Sequence, residues 1–167
     1  NEELPIRLFY HGSVFVNYSG YQGKLKESTQ IGAELYNDAT PEADAEMAAL
    51  MIDCLSASGL TKFQVVAGQA DFFRALVEEA GFSEEETDEL RRLIEMKNVF
   101  GVEQLLEEKE ISAELKEVFT KLSSHFGSID TIHHMKQLTK NERAVAALHR
   151  LEQFYDALCL YGKEEHI

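Results

Sequence analysis

The sequence predicts an α+β protein, and three observations carry that reading. Two runs rich in aromatic and β-branched residues, Leu8 to Val16 and Ser28 to Leu35, flank a glycine-bearing turn, the pattern of a β-hairpin. Downstream, apolar residues recur at helical spacing in several capped segments. Between the first two of these lies a short apolar run, Lys62 to Ala67, that suits a covered strand. Strand, helix and strand in that order describe a sheet layer with helices packed on it.

The hairpin comes first along the chain. Its turn reads Asn17-Tyr18-Ser19-Gly20-Tyr21-Gln22-Gly23-Lys24. Strand side chains alternate faces, so Ile31, Ala33 and Leu35 share one face while Gln30, Gly32 and Glu34 share the other. An amide and a carboxylate flanking a glycine form a floor suited to a small polar ligand, which could approach the backbone where the side chain is missing. The same pattern also describes a half-exposed strand whose polar residues meet water, and both readings stand at this point.

After the turn Asn37-Asp38-Ala39, Thr40 is placed as an N-cap with Pro41 at the first helical position. The helix that follows is expected to bury Met47, Leu50, Met51, Cys54 and Leu55 and to end at Gly59. A second helix is expected from Ala70 to Ala80. Ser83-Glu84-Glu85-Glu86 is a capping box, opening a helix with Leu90, Leu93 and Ile94 on one stripe. Asn98 to Gly101 reads as a break before a short helix through Leu105 and Leu106. Ser112 starts another, carrying Leu115, Val118, Phe119 and Leu122. Ser123 to Ser128 reads as a loop. A long amphipathic helix begins near Asn141 and carries Ala144, Val145, Leu148, Leu151, Phe154, Tyr155 and Leu158. It shows no sustained 3.5-residue repeat of the coiled-coil kind.

Composition narrows the function. The net charge is −14, and residues 78–117 carry 14 acidic and five basic residues. No stripe of Lys and Arg is available to displace counterions from phosphates, which speaks against nucleic acid and against an anionic membrane as partners. No apolar run approaches the roughly 20 residues of a bilayer span, and no signal peptide pattern opens the sequence. Cys54 and Cys159 are far apart and fit a reducing cytoplasm. A first strand without an earlier neighbour, and a stop directly after a helix and Gly162, suggest a fragment of a longer protein.

Motifs for catalysis are missing. No G-x-S-x-G, C-x-x-C or H-E-x-x-H occurs. Gly23-Lys24 imitates the end of a P-loop, but Tyr18 and Leu25 stand where Gly and Ser or Thr belong; the Ser19 to Lys24 loop reads as an anion cradle or a plain turn. His133 and His134 are adjacent, so on a helix they diverge by about 100° and cannot grip one metal. His125 and His149 read as ordinary surface or core residues. Neither a metal nor a cofactor is expected.

The hairpin resembles motif 2 of class II aminoacyl-tRNA synthetases, specifically the histidyl branch. The resemblance rests on Phe9-Tyr10-His11-Gly12-Ser13-Val14-Phe15, on Gln30-Ile31-Gly32-Ala33-Glu34, and on Pro41-Glu42-Ala43-Asp44-Ala45-Glu46. It extends through the strand-then-helix Phe63 to Phe73 and the helical insertion after it, and so covers nearly the whole chain. In the synthetases an arginine follows the aromatic of the first strand, with an acidic residue two further on; Val16 and Tyr18 occupy those positions here. That arginine grips the ATP α-phosphate and the amino-acid carboxylate through bidentate, charge-assisted bonds. Valine offers no such bond, so adenylate formation is expected to fail.

A synthetase-like chain without that chemistry resembles the regulatory subunits of ATP phosphoribosyltransferase. Gln22-Gly23-Lys24-Leu25-Lys26-Glu27-Ser28-Thr29-Gln30 and Gln69-Ala70-Asp71-Phe72-Phe73-Arg74-Ala75-Leu76 favour that branch. The resemblance implies a non-catalytic, cytoplasmic subunit of bacterial histidine biosynthesis, assembling with a short-form catalytic subunit into a hetero-octamer and relaying feedback by histidine. It implies a partial class II core at 1–82 and 125–167, with an antiparallel sheet and flanking helices, and a helical insertion at 83–124. It also places histidine on Gln30, at its amino and carboxylate end, and on Glu34, at its imidazole, with Gly32 leaving room between them. The alternative is a divergent histidyl-tRNA synthetase or another amino-acid-activating paralogue. A third reading is an interaction module whose binding surface is the acidic helical insertion.

Overall fold

The computed structural model describes residues 4–17, 23–124 and 127–167. Among them are one antiparallel hairpin, β1 (Ile6–Phe15) and β2 (Glu27–Tyr36), and seven α-helices. The helices are α1 (Pro41–Ala57), α2 (Ala70–Ala80), α3 (Glu84–Glu95), α4 (Val99–Glu107), α5 (Ala113–Ser124), α6 (Ile129–Leu138) and α7 (Glu142–Leu160). A short 3-10 turn, Glu164–His166, follows. The architecture is α+β, as the sequence predicts.

Local chemistry sets most helix starts. The Thr40 hydroxyl accepts from the Ala43 N–H at 3.2 Å, with Pro41 at N1, so α1 begins where its orphan donors are answered. Both halves of the Ser83–Glu86 capping box are present at α3. Asn98, Ser112 and Asn141 cap α4, α5 and α7 in the same way. The α3–α4 break is thus a tight corner around residues 96–98, and Gly101 lies inside α4 rather than in the break.

Packing produces two apolar cores joined by α7. The larger gathers Phe72, Leu76, Leu90, Val102, Leu106, Val118 and Phe119 with Ala144, Ala147 and Leu148 of α7. Phe119 is its centre, wholly buried, with Phe73 and Phe82 edge-on at 6.3 and 5.7 Å. The helices of residues 84–124 therefore share one core with α2 and the first half of α7. The smaller core is formed by Ala45, Ala49 and Ile52 of α1 against Phe154, Ala157 and Leu158 of α7. Polar clamps run alongside. Asn141 donates to the Ala75 carbonyl at 3.3 Å, Arg143 pairs with Glu78 at 2.7 Å, and Arg150 pairs with Asp44 at 2.6 Å.

Three expectations need correcting. The buried stripe of α1 is Ala45, Ala49 and Ile52; Leu50, Met51 and Cys54 are exposed, while Met47 and Leu55 are half-buried. Alanines let α1 and α7 approach closely, and that contact wins over the larger residues on the other side of the helix. Second, residues 62–67 form no β-ladder. Phe63, Val65 and Ala67 turn inward onto the smaller core in strand-like alternation, and the Val65 N–H donates to the His166 carbonyl at 2.6 Å. Third, α6 was not expected. It buries Met135, with Ile132 and Leu138 half-buried beside it, too short an apolar stripe to stand out in a segment holding two histidines.

Candidate functional site

The hairpin register decides what shares the Gln30 face. Gly12 lies opposite Gln30, Tyr10 opposite Gly32, and Leu8 opposite Glu34. Directly opposed residues of an antiparallel pair project to the same side, so Gln30, Gly32 and Glu34 stand together with Leu8, Tyr10 and Gly12. Tyr10 lies across Gly32. A Cβ built on Gly32 would come within 2.4 Å of the Tyr10 ζ carbon and of its hydroxyl, so only glycine admits this ring. Gln30 Nε2 donates to the Tyr10 hydroxyl at 2.9 Å. At the other end the Tyr36 hydroxyl donates to a Glu34 carboxylate oxygen, and that bond with the neighbouring charge raises the Tyr36 pKa.

The result is a continuous polar strip, Gln30–Tyr10 followed by Glu34–Tyr36, with the gap above Gly32 filled by an aromatic ring. Sequence reading placed Gln30, Gly32 and Glu34 on one face, as the register has them, but did not include the two tyrosines, and the room it expected over Gly32 is taken by the Tyr10 ring. A signal for Tyr10 existed: a glycine in one strand opposite an aromatic in its partner. Reading it required the register, which turn chemistry alone did not supply.

The site is tied to the body of the protein through the opposite face. Arg7 reaches α1 as a bidentate pair with Glu46, Nε to Oε1 at 2.5 Å and Nη2 to Oε2 at 2.7 Å. The pair keeps Arg7 charged and holds Glu46 below the usual carboxylate range. Beside it a groove of about 200 Å³ runs between hairpin and helix, lined by Phe9, Ala33, Glu34, Met47 and Leu50 among others.

Val16 continues the alternation of β1 to the Gln30 side. Its N–H donates to the Lys26 carbonyl at 2.9 Å, and its side chain is partly exposed. The position where synthetases carry an arginine thus stands two same-face pairs beyond Gln30, past Val14 opposite Ser28, and offers that end of the face only an isopropyl group. Tyr18 and most of the Ser19 to Lys24 loop lie outside the described residues, as does His125.

Other titratable clusters join helices. His133 and His134 diverge as expected: His133 Nε2 lies 2.9 Å from Glu152, and His134 Nε2 lies 2.6 Å from Lys121 Nζ. Lys136, with His149 and then His133, holds the Glu152 carboxyl down to about 2. This cluster fastens α6 to α7. Among the described residues, no group of three or more His, Cys, Asp and Glu side chains is arranged to hold a metal ion. No helix among them is long and apolar enough to cross a membrane.

Fold and hairpin together define a protein of the class II synthetase type. The family model for histidyl-tRNA synthetase matches residues 1–166, and the chain belongs to that family. Within it, the resemblance is to ATP phosphoribosyltransferase regulatory subunits. The chain is 42% identical to the regulatory subunit of Acetivibrio thermocellus over 163 residues, and 39% identical to that of Ruminiclostridium cellulolyticum over 165. These alignments cover 98% and 99% of the chain and 39% of each relative. A crystal structure of an ATP phosphoribosyltransferase regulatory subunit/histidyl-tRNA synthetase from Bacillus halodurans C superposes with a TM-score of 0.85 at 32% identity, over 98% of this chain and 42% of that one. The chain spans about two fifths of the length of these relatives.

Proposed function

We propose that this chain is part of a non-catalytic regulatory subunit of ATP phosphoribosyltransferase, the enzyme of the first step of histidine biosynthesis, and that it relays feedback by histidine. The observation that carries this reading is Val16, on the same face as the polar strip and two pairs beyond Gln30, where activation would call for an arginine. Gln30, Tyr10 and Glu34 supply an amide, a hydroxyl and a carboxylate on one face, suited to an amino acid with an imidazole side chain. An amide serves either sign of group, and a carboxylate accepts an imidazole N–H. The missing arginine removes the grip on an α-phosphate, which favours binding without activation.

In this reading the partner is the short-form catalytic subunit, in a hetero-octamer located in the cytoplasm. Residues 1–82 and 125–167 belong to a class II core, and 83–124 are a helical insertion. Histidine acts by stabilising one of two conformations shared with the catalytic partner, so its effect is bounded by its differential affinity for them.

Calorimetric titration of histidine into the whole protein, alongside Glu34→Ala, tests the site. Binding that is lost in the variant supports the strip as the pocket. Binding unchanged by it moves the effector elsewhere. The second reading, a divergent histidyl-tRNA synthetase, requires histidine-dependent ATP–pyrophosphate exchange, and Val16 weighs against it.

A further inference from the structure

We propose that the α3–α4 corner is a docking knob for a protein partner that presents an apolar socket ringed by lysine and arginine. The identity of the partner rests on the reading above, in which it is the catalytic subunit. Between residues 70 and 159, the described large apolar side chains left exposed are Met96 and Phe100, at 66% and 75%. They stand on either side of the corner, Met96 capping the end of α3 and Phe100 in the first turn of α4. Exposed apolar residues four apart at one corner of a helical unit that covers its other large apolar side chains mark a contact surface.

The corner is held in one shape. Lys97 adopts a left-handed backbone, φ 54°, at a position where glycine is usual, and the Asn98 N–H closes back onto the Leu93 carbonyl at 2.9 Å. A Cβ on Gly101 would meet the side chains of Leu93 and Asn98 at 2.7 Å, so the glycine leaves room for both to fill the corner. A rigid knob loses little entropy when it docks.

Charge selects the occupant. On α4 the exposed stripe runs Phe100, Glu103, Gln104, Glu107, one turn apart on one face. On α3, Asp88 and Glu89 are matched by Arg91 and Arg92. Among the described residues no ion pair engages Glu103 or Glu107, and these two with the exposed Glu95 and Glu108 outnumber Lys97, so the potential around the corner is negative on balance. Phosphate-bearing nucleic acid and anionic lipid are repelled from such a face, whereas a basic protein surface is steered to it.

The test uses the whole protein and the catalytic subunit, with association and dissociation rates measured at low and high salt. Phe100→Ser is expected to weaken the complex about tenfold or more, chiefly through faster dissociation. Glu103→Gln with Glu107→Gln is expected to slow association at low salt and to make no difference at high salt. Should Phe100→Ser shift the melting temperature, Met96→Ser carries the same test from the helix end. Affinity within about twofold of wild type for Phe100→Ser and Met96→Ser overturns the docking knob alone. Failure of the wild-type protein to bind the catalytic subunit overturns the regulatory reading and the knob with it.

Discussion

The helical unit and the hairpin solve the same burial problem with opposite success. Helices α2 to α6 satisfy their backbone bonds internally and turn one stripe each onto a shared core, closed by Phe119 and the first half of α7. The hairpin pairs β1 with β2 and leaves both faces and both outer edges without a further strand among the described residues. Phe9 is 87% exposed and Ile31 67%. Its order therefore leans on Arg7–Glu46, on Ala33 beside the α1 groove, and on the tyrosine contacts across its other face. The stable part of this chain is the all-helical one, while the polar strip sits on the part that depends on neighbours.

Four substitutions can break or sharpen that contrast. The largest effect is expected from Phe119→Ala, a loss of about 3–5 kcal/mol measured by chemical denaturation, because the aromatic cluster cannot close over the cavity. A loss below about 1 kcal/mol there would mean the helical core is not the anchor of the fold. Next comes Gly32→Ala. The added methyl drives Tyr10 off its seat, at a cost of about 1–3 kcal/mol and with weaker histidine binding, read by denaturation and by calorimetry. If stability and affinity both stay unchanged, the ring does not cover Gly32 in solution.

The third is a pH dependence. Glu152 titrates near 2 in the folded protein against its ordinary value of 4.5. Its contribution is therefore present above about 4.5 and is lost as pH falls from there toward 2. The expected loss is on the order of 1 kcal/mol, because the side chain is 23% exposed and water screens it. Glu152→Gln should flatten that part of the stability profile, and an unaltered profile would place the acid sensitivity elsewhere. The smallest effect is expected from Phe9→Ser, within about 0.5 kcal/mol, since so exposed a ring has little to lose. A large destabilisation by this variant in the whole protein would show that the hairpin face is covered there.

Legibility followed the range of the interactions. Helix starts were readable because a cap and its N–H lie three residues apart, as at Thr40, Ser83 and Asn141. The Gln30, Gly32 and Glu34 face was readable because strand alternation is local. Unreadable were the partners: which stripe of α1 meets α7, whether residues 62–67 find another strand, and how Met135 and its neighbours are covered. Large residues were favoured as the buried face of α1, whereas close helix contact selects the small ones.

By itself, then, the sequence determined the α+β class, the hairpin and its polar face, and the capped helices. Each follows from bonds and steric preferences spanning a few residues. Only the tertiary structure decided that Tyr10 lies over Gly32, that α7 joins two cores, and that Met96 and Phe100 face outward from one corner. Those outcomes depend on strand register and on how closely two backbones can approach, and both are set by residues far apart in the chain.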